Sequence, residues 1–323
     1  MAWSLAALMF PAIGCRQKPD SATGQPAGFM GVVGVGQDDP LWPVLRQTAL
    51  RVYDEPGPTT MPMRATAPGA RSVNAQRHLI ERLHKDGMVA LCVQVTDAEA
   101  LRGTLEKLSG QGVRIVTMMR RVKSSRPYVH SGPDEGAIGR AMAQALRDAL
   151  DGRGTVAVLH ADSVSDESVA RHRALIEALG SFGSVRIILD YDCRADPILA
   201  RRLIRDTMRR YPRLGGWAVT GNWPLRAGDD GEPLVPATCR IVAVDPFPAT
   251  WRCFEQDRVF AMIASDYERI AAHAVTTCRS LAMGTASMPT SFASPARAVR
   301  AETLEAFKQD WQRWTSRSAD RSK

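Results

Sequence analysis

Phe29-Met30-Gly31-Val32-Val33-Gly34-Val35-Gly36-Gln37-Asp38-Asp39-Pro40-Leu41-Trp42 is an apolar run that ends in a turn and opens a helix. Valines at 32, 33 and 35, interleaved with glycines, read as a strand buried on both faces, of the kind found in parallel sheets. The Asp-Asp-Pro that follows reads as a helix start, with Asp39 as N-cap and Pro40 at the first helical position, where a missing N–H costs nothing. Open parallel sheets bind ligands beyond the carboxyl ends of their strands, so Asp39, Leu41 and Trp42 are candidates to touch a small molecule. Ordinary core packing is the competing reading for Trp42. Gly34-x-Gly36 falls short of a dinucleotide fingerprint: Asp39 stands where the third glycine belongs, and a carboxylate there repels a pyrophosphate. No cofactor is expected.

The residues that follow alternate in period. A helix over 43–53 and a weak strand near 59–66 come first. Next comes a helix over 74–85 with Leu79, Ile80 and Leu83 on one face, stopped by Gly87. A buried strand over 88–95 precedes a helix capped by Asp97, whose stripe of Leu101, Leu105 and Leu108 ends at Gly110 and Gly112. A strand over 113–119 completes a βαβ series, which implies a parallel sheet with right-handed crossovers. After a short extended crossing at 128–131, Asp134 opens a helix with Ile138, Met142 and Leu146 in register, and the alternation starts again. Strands over 154–160, 185–191, 217–220, 241–245 and 258–264 alternate with helices over 165–179 and 197–211. Two such series predict an α/β protein of two doubly wound parallel-sheet lobes joined by a hinge. Residues 222–237, rich in Pro, Gly and Asp, read as a loop, and 267–283 as a helix. The last helix, 301–314, carries Leu304, Phe307, Trp311 and Trp314 on one stripe, a pattern for packing against a lobe.

With 323 residues the chain is long enough for two cores, and 45% apolar with 24% charged residues is ordinary for a globular protein. The net charge of +8 raises the question of nucleic acid. The basic residues are spread over helix faces, as at Arg201, Arg202, Arg205, Arg209 and Arg210, and no DNA-binding motif is present, so no nucleic-acid partner is expected. The six cysteines form no Cys-x-x-Cys pair, and His130, His160, His172 and His273 stand isolated along the chain, so no metal site is expected. There is no Gly-x-Ser-x-Gly elbow, phosphate loop or His-Glu-x-x-His, which argues against an enzyme.

Residues 2–14 form a short, mostly apolar segment, too short to span a bilayer but suited to a secretory leader. Ala12-Ile13-Gly14-Cys15 resembles a bacterial lipoprotein cleavage site, in which Cys15 is acylated and anchors the chain to a membrane. Two departures are the lack of Lys or Arg ahead of the apolar run and Ala12 where Leu is usual. Residues 16–28, rich in Pro, Gly, Ser and Gln, read as a flexible tether.

The order of motifs resembles the type I periplasmic binding proteins, in particular their ribose- and sugar-binding branch. The resemblance rests on Asp39-Pro40-Leu41-Trp42 after the first strand, Gly87-Met88-Val89-Ala90-Leu91 and Ile115-Val116-Thr117. It continues through Asp134-Glu135 with Gly139-Arg140, Gly154-Thr155-Val156-Ala157, Arg171 before Glu177-Ala178-Leu179, and Ile241-Val242-Ala243-Val244-Asp245. It implies a first lobe of 29–131 with a return at 265–285, a second lobe of 132–264, and a C-terminal helix and tail over 286–323. It further implies ligand contacts at Asp39, Trp42, Arg120, Arg171, Asn222, Asp245 and Ser265, with Tyr191 as a stacking residue. These residue types suit a sugar: carboxylates and amides accept or donate in fixed directions, Arg supplies a planar fork of donors, and an aromatic ring covers the C–H face. Asp245, at the end of a hydrophobic strand, needs a partner, and Arg171 is the candidate.

The function implied is capture of a small sugar or sugar-like solute by a monomeric, extracytoplasmic lipoprotein that hands it to an ABC permease. The same fold could serve instead as a sensor for a membrane kinase or chemoreceptor, or bind a non-sugar ligand. A repressor with this core would need a DNA-binding headpiece, and fewer than about thirty residues precede the first strand. Met119 stands where the family commonly has Asp, while two arginines are kept. That shift points to a ligand carrying a carboxylate or phosphate.

Overall fold

The computed structural model describes residues 28–54, 61–125, 128–226, 233–256, 259–285 and 290–316. The leader, Cys15 and the tether up to residue 27 lie outside the described residues. The first sheet holds β1 (Phe29–Val33), β2 (Met63–Thr66), β3 (Met88–Gln94), β4 (Arg114–Met118), β5 (Val129–Pro133) and β11 (Phe292–Ser294), in the order β2-β1-β3-β4-β5-β11, every pairing parallel. Helices α1 (Trp42–Asp54), α2 (Val73–Lys85), α3 (Ala98–Gly110) and α9 (Tyr267–Ala282) cover its faces. The second sheet holds β6 (Gly154–His160), β7 (Val185–Asp192), β8 (Gly216–Val219), β9 (Arg240–Val244), β10 (Val259–Ser265) and β12 (Ala296–Val299), in the order β7-β6-β8-β9-β10-β12, with only β12 antiparallel. Around it lie α4 (Glu135–Ala149), α5 (Asp166–Phe182), α6 (Pro197–Arg210), the short α7 (Trp223–Arg226) and α8 (Cys253–Gln256), and α10 (Ala301–Thr315).

The two lobes of the predicted α/β fold are therefore present, and in each the strand order reverses beside the first strand. That is where a doubly wound sheet opens a crevice at its carboxyl edge. β3 is buried along almost its whole length, as a parallel strand covered on both faces must be. Helix starts follow side-chain capping: Ser72, Asp97, Asp134, Ser165, Asp196 and Asp266 each accept a backbone N–H from the first turn.

Several local expectations are corrected. Asp39 does not cap α1. Its Oδ1 accepts the Leu41 N–H at 3.0 Å and its carbonyl the Trp42 N–H at 3.0 Å, closing a turn just ahead of a helix that begins at Trp42. Residues 128–131 are not merely a crossing, because β5 is a full member of the first sheet. The segment after 285, read as a helix and tail, also supplies β11 to one sheet and β12 to the other. Residues 222–226, read as loop, contain α7. His160 and His172, isolated in sequence, lie stacked with ring centroids 4.1 Å apart.

The chain passes between the sheets near residue 134, near 266 and at Pro295. Ser294 ties these passages together: its carbonyl accepts the Asp134 N–H at 2.9 Å and its hydroxyl accepts the Asp266 N–H at 2.9 Å. On the same side of the molecule, Phe307, Trp311 and Trp314 of α10 form one apolar cluster with Tyr267 and with Leu41 and Val44 of the first lobe. The stripe predicted for the last helix is thus buried, and it bridges both lobes. Cys92, Cys193, Cys239, Cys253 and Cys278 are free and buried, and burial pushes the Cys92 and Cys239 thiols up to about 12. Among the described residues no helix is long and apolar enough to cross a membrane.

Candidate functional site

The carboxyl ends of β1, β3 and β4 face those of β6, β8 and β9 across a cleft of about 270 Å³. That lies just below the roughly 300–1,000 Å³ typical of small-molecule pockets and suits a small ligand better than an oligomer. Asp39, Arg120, Arg171, Asn222 and Asp245 all line it, so the structure brings these predicted residues together.

On the first-lobe wall, Gln94 at the end of β3 donates to Asp39 Oδ1 at 3.1 Å. The fully buried Gln76 amide donates to the carbonyls of Gly34 at 2.8 Å and Gln94 at 2.7 Å and accepts the Thr96 N–H, which joins the ends of β1 and β3. Arg120, just past β4, has no side-chain partner among the described residues. Its guanidinium pKa is lowered, first by burial and then by the neighbouring Arg71, with Glu167 and Asp97 opposing.

On the second-lobe wall, Arg171 reaches the cleft from α5 because Gly139 lets α4 approach closely. A Cβ at 139 would stand 2.3 Å from the Arg171 carbonyl oxygen. The Arg171 guanidinium donates to Glu135 Oε2 at 2.7 Å and to the Thr220 carbonyl at 2.6 Å. The expected Arg171–Asp245 pair is thereby corrected: Arg171 is held by Glu135. Asp245 instead accepts the Tyr267 hydroxyl at 2.7 Å, while Asn222 donates to the Asp245 carbonyl at 3.0 Å. Burial raises the Asp245 carboxyl, against the pull of Arg171 and Tyr267. Burial also raises Glu135 in spite of Arg171, and Arg171, with Glu135 and Asp245 at hand, stays charged. Asp245 sits at φ 62°, the left-handed conformation that Asp tolerates better than most residues, and this turns the chain sharply off the end of β9.

Trp42, Tyr191 and Ser265 do not line the cleft. Trp42 packs into the first-lobe core against Gly34, where a Cβ would meet its ring at 2.4 Å. Tyr191 stacks on Trp217 and sits near Thr207. Ser265 ends β10 beside the hinge, paired with Ala296. The sequence reading missed Glu135, Gln94, Tyr267, Phe247 and Trp223. Of these, Glu135 directly after the Asp134 cap carried a signal, a carboxylate at the start of a helix that leaves the hinge.

At the mouth the lobes touch. The Arg121 N–H donates to Glu167 Oε1 at 2.9 Å, and Lys123 Nζ lies 2.6 Å from Asp166 Oδ2. Both acceptors belong to the first turn of α5, where negative charge is favoured by the exposed N–H groups.

Similar folds occur among solved structures. A sugar-binding protein of a sugar ABC transporter from Bacillus halodurans superposes with a TM-score of 0.75 at 17% identity, covering 87% of this chain and 99% of its own. A solute-binding protein from Burkholderia graminis C4D1M in complex with D-arabinose gives 0.74 at 15% identity, covering 87% and 98%. The Caulobacter myo-inositol binding protein, bound to myo-inositol, gives 0.70 at 15% identity, covering 88% and 96%. A search of curated proteins finds no match. The sequence pattern of the periplasmic binding protein domain matches residues 30–286, most of the chain, and with the fold and cleft described above this places the protein in the periplasmic binding protein family.

Proposed function

We propose that this protein is an extracytoplasmic solute-binding protein that captures a small sugar or sugar-like molecule between its lobes and delivers it to an ABC importer. The observation that carries this reading is the convergence, in one cleft, of fixed polar groups from both lobes: Asp39 and Arg120 on one wall, Arg171, Asn222 and Asp245 on the other. A ligand bridging the two walls favours the closed arrangement over the open one, a population shift through hinge motion with no bond broken. The solved relatives with D-arabinose and myo-inositol support a polyhydroxylated ligand. Phe247 and Trp223, also in the lining, can cover an apolar C–H face, the role expected of Trp42 and Tyr191.

The carboxylates lining the cleft are mostly engaged within the chain: Asp39 with Gln94, Glu135 with Arg171, Glu167 with the Arg121 N–H, Asp245 with Tyr267. Arg120 is not. A guanidinium with no partner among the described residues favours a ligand that brings its own acceptor, and a sugar acid or sugar phosphate would satisfy it bidentately. Anchoring through an acylated Cys15, with residues 16–28 as tether, fits delivery at a membrane, and the protein is read as acting as a monomer. A thermal-shift panel of pentoses, hexoses, polyols and sugar acids tests the reading, because a ligand specific to the folded state raises the melting temperature. A panel without any shift, repeated by calorimetry, would overturn it.

A further inference from the structure

Outside the cleft, four side chains of the second lobe form a closed box. His160 ends β6, Asp162 lies in the following loop, His172 lies on α5 and Asp190 near the end of β7. The imidazoles are stacked, 12° from parallel. Asp162 spans one edge of the stack, with Oδ1 3.3 Å from His160 Nδ1 and Oδ2 2.7 Å from His172 Nδ1. Asp190 spans the other, with Oδ1 3.4 Å from His160 Nε2 and Oδ2 3.1 Å from His172 Nε2.

With both rings neutral, the box holds fewer protons than its carboxylate oxygens can accept. A neutral imidazole has one N–H and one lone pair, so two rings offer two donors to carboxylate oxygens facing all four ring nitrogens. His160 Nδ1 already accepts the Asp162 backbone N–H at 3.3 Å, so it presents a lone pair toward Asp162 Oδ1. That oxygen and His172 Nε2 are both buried without a hydrogen-bond partner. Among the described residues no Lys or Arg forms an ion pair with Asp162 or Asp190, and the other charged group beside the rings, Asp192, adds a further negative charge. Two carboxylates and two imidazoles therefore converge, with no Lys or Arg among the described residues paired to either carboxylate.

We propose that the box is a binding site for one divalent transition-metal ion of the zinc class, held by Nδ1 of His160, Nδ1 of His172 and the carboxylate of Asp162. With the metal on the Nδ1 edge, both rings carry their proton on Nε2 and donate to the two oxygens of Asp190. This is the carboxylate–histidine–metal arrangement that fixes tautomer and ring orientation. Imidazole with a single carboxylate selects zinc-like ions over magnesium or calcium, which prefer all-oxygen shells, and water completes the fourth position. The donor atoms lie within 4.8 Å of one another. Tetrahedral zinc spaces its ligands by about 3.3 Å, so binding draws the Nδ1 atoms together and fans the rings out of their stack. The neighbours of Asp162, Ala161 and Val164, line the cleft, so the ion braces one of its walls.

The test uses the untagged full chain, stripped with chelator, titrated with zinc by calorimetry and with cobalt by absorption spectroscopy. The expected result is one ion per chain, a tetrahedral cobalt spectrum, and a rise in melting temperature with zinc. His172→Gln and Asp162→Asn should each lower affinity sharply, and Asp190→Asn by about 10–100-fold. The absence of saturable binding of either metal by the wild-type chain overturns the proposal, a result that does not depend on any variant folding. So does undiminished binding by the His160→Gln/His172→Gln double variant, or nuclear magnetic resonance showing both rings as imidazolium at neutral pH and unmoved by zinc.

Discussion

The Tyr267 hydroxyl, at the start of the first-lobe helix α9, donates to Oδ1 of Asp245, at the end of the second-lobe strand β9, across 2.7 Å. The bond therefore crosses the hinge. Tyr267→Phe keeps the ring and removes the donor to a buried carboxylate. A loss of about 1–3 kcal/mol is expected, read from the urea midpoint at constant slope. An unchanged midpoint would mean that the Asp245 carboxyl is satisfied without the tyrosine.

Arg171 and Glu135 should behave as a unit. Arg171→Met leaves Glu135 buried without its cation, and a loss of about 3–5 kcal/mol is expected. Adding Glu135→Gln to that variant removes the stranded charge and should recover a large part of the loss. Additive losses in the double-mutant cycle would show that the pair does not interact as the 2.7 Å contact indicates.

Arg120 separates binding from stability. Because it has no side-chain partner among the described residues, Arg120→Gln should leave the melting temperature of the ligand-free protein almost unchanged. It should weaken an acidic ligand about tenfold or more, the weight of a lost charge-assisted hydrogen bond. Equal weakening of neutral and acidic ligands would argue that Arg120 reads hydroxyls instead.

His130 makes stability depend on pH. Its ring packs in the first lobe with Nδ1 3.0 Å from Thr117 Oγ1, and burial, with Arg121 nearby, pushes its pKa down to about 3 from the ordinary 6.5. The unfolded chain therefore takes up a proton that the folded chain refuses. The contribution is full above about pH 6.5, falls by at most about 1.4 kcal/mol per pH unit as pH drops below that value, and levels off near 3. Unfolding of wild type and His130→Gln at pH 7 and pH 4.5 checks the sign: the wild type should lose more.

Much of the fold could be read from the chain because each lobe repeats one pattern, a buried apolar strand followed by an amphipathic helix with a polar cap. Asp39, Arg120, Arg171, Asn222 and Asp245 were implied by the resemblance to the periplasmic binding proteins, and all five line the crevice. Trp42 was misread through Gly34. An indole needs a flat apolar floor, and a glycine in the preceding turn supplies one inside the core, so the ring turns away from the ligand side. β11 and β12 escaped notice because strands of three and four residues with Pro295 between them carry no periodicity. The partners of Asp245 and Arg171 escaped because Tyr267 and Glu135 arrive over the hinge, a proximity that no sequence spacing encodes. The histidine pair was missed likewise, its members lying on a strand and a helix whose packing alone stacks them.

The aromatic seam formed by α10 has a mechanical meaning. Trp311 and Trp314 share one apolar cluster with Leu41 and Val44 of the first lobe, so any motion that parted them would wet that seam, at roughly 25 cal/mol for every Å² exposed. The last helix of the chain therefore acts as an oily bearing that resists separation of the two halves.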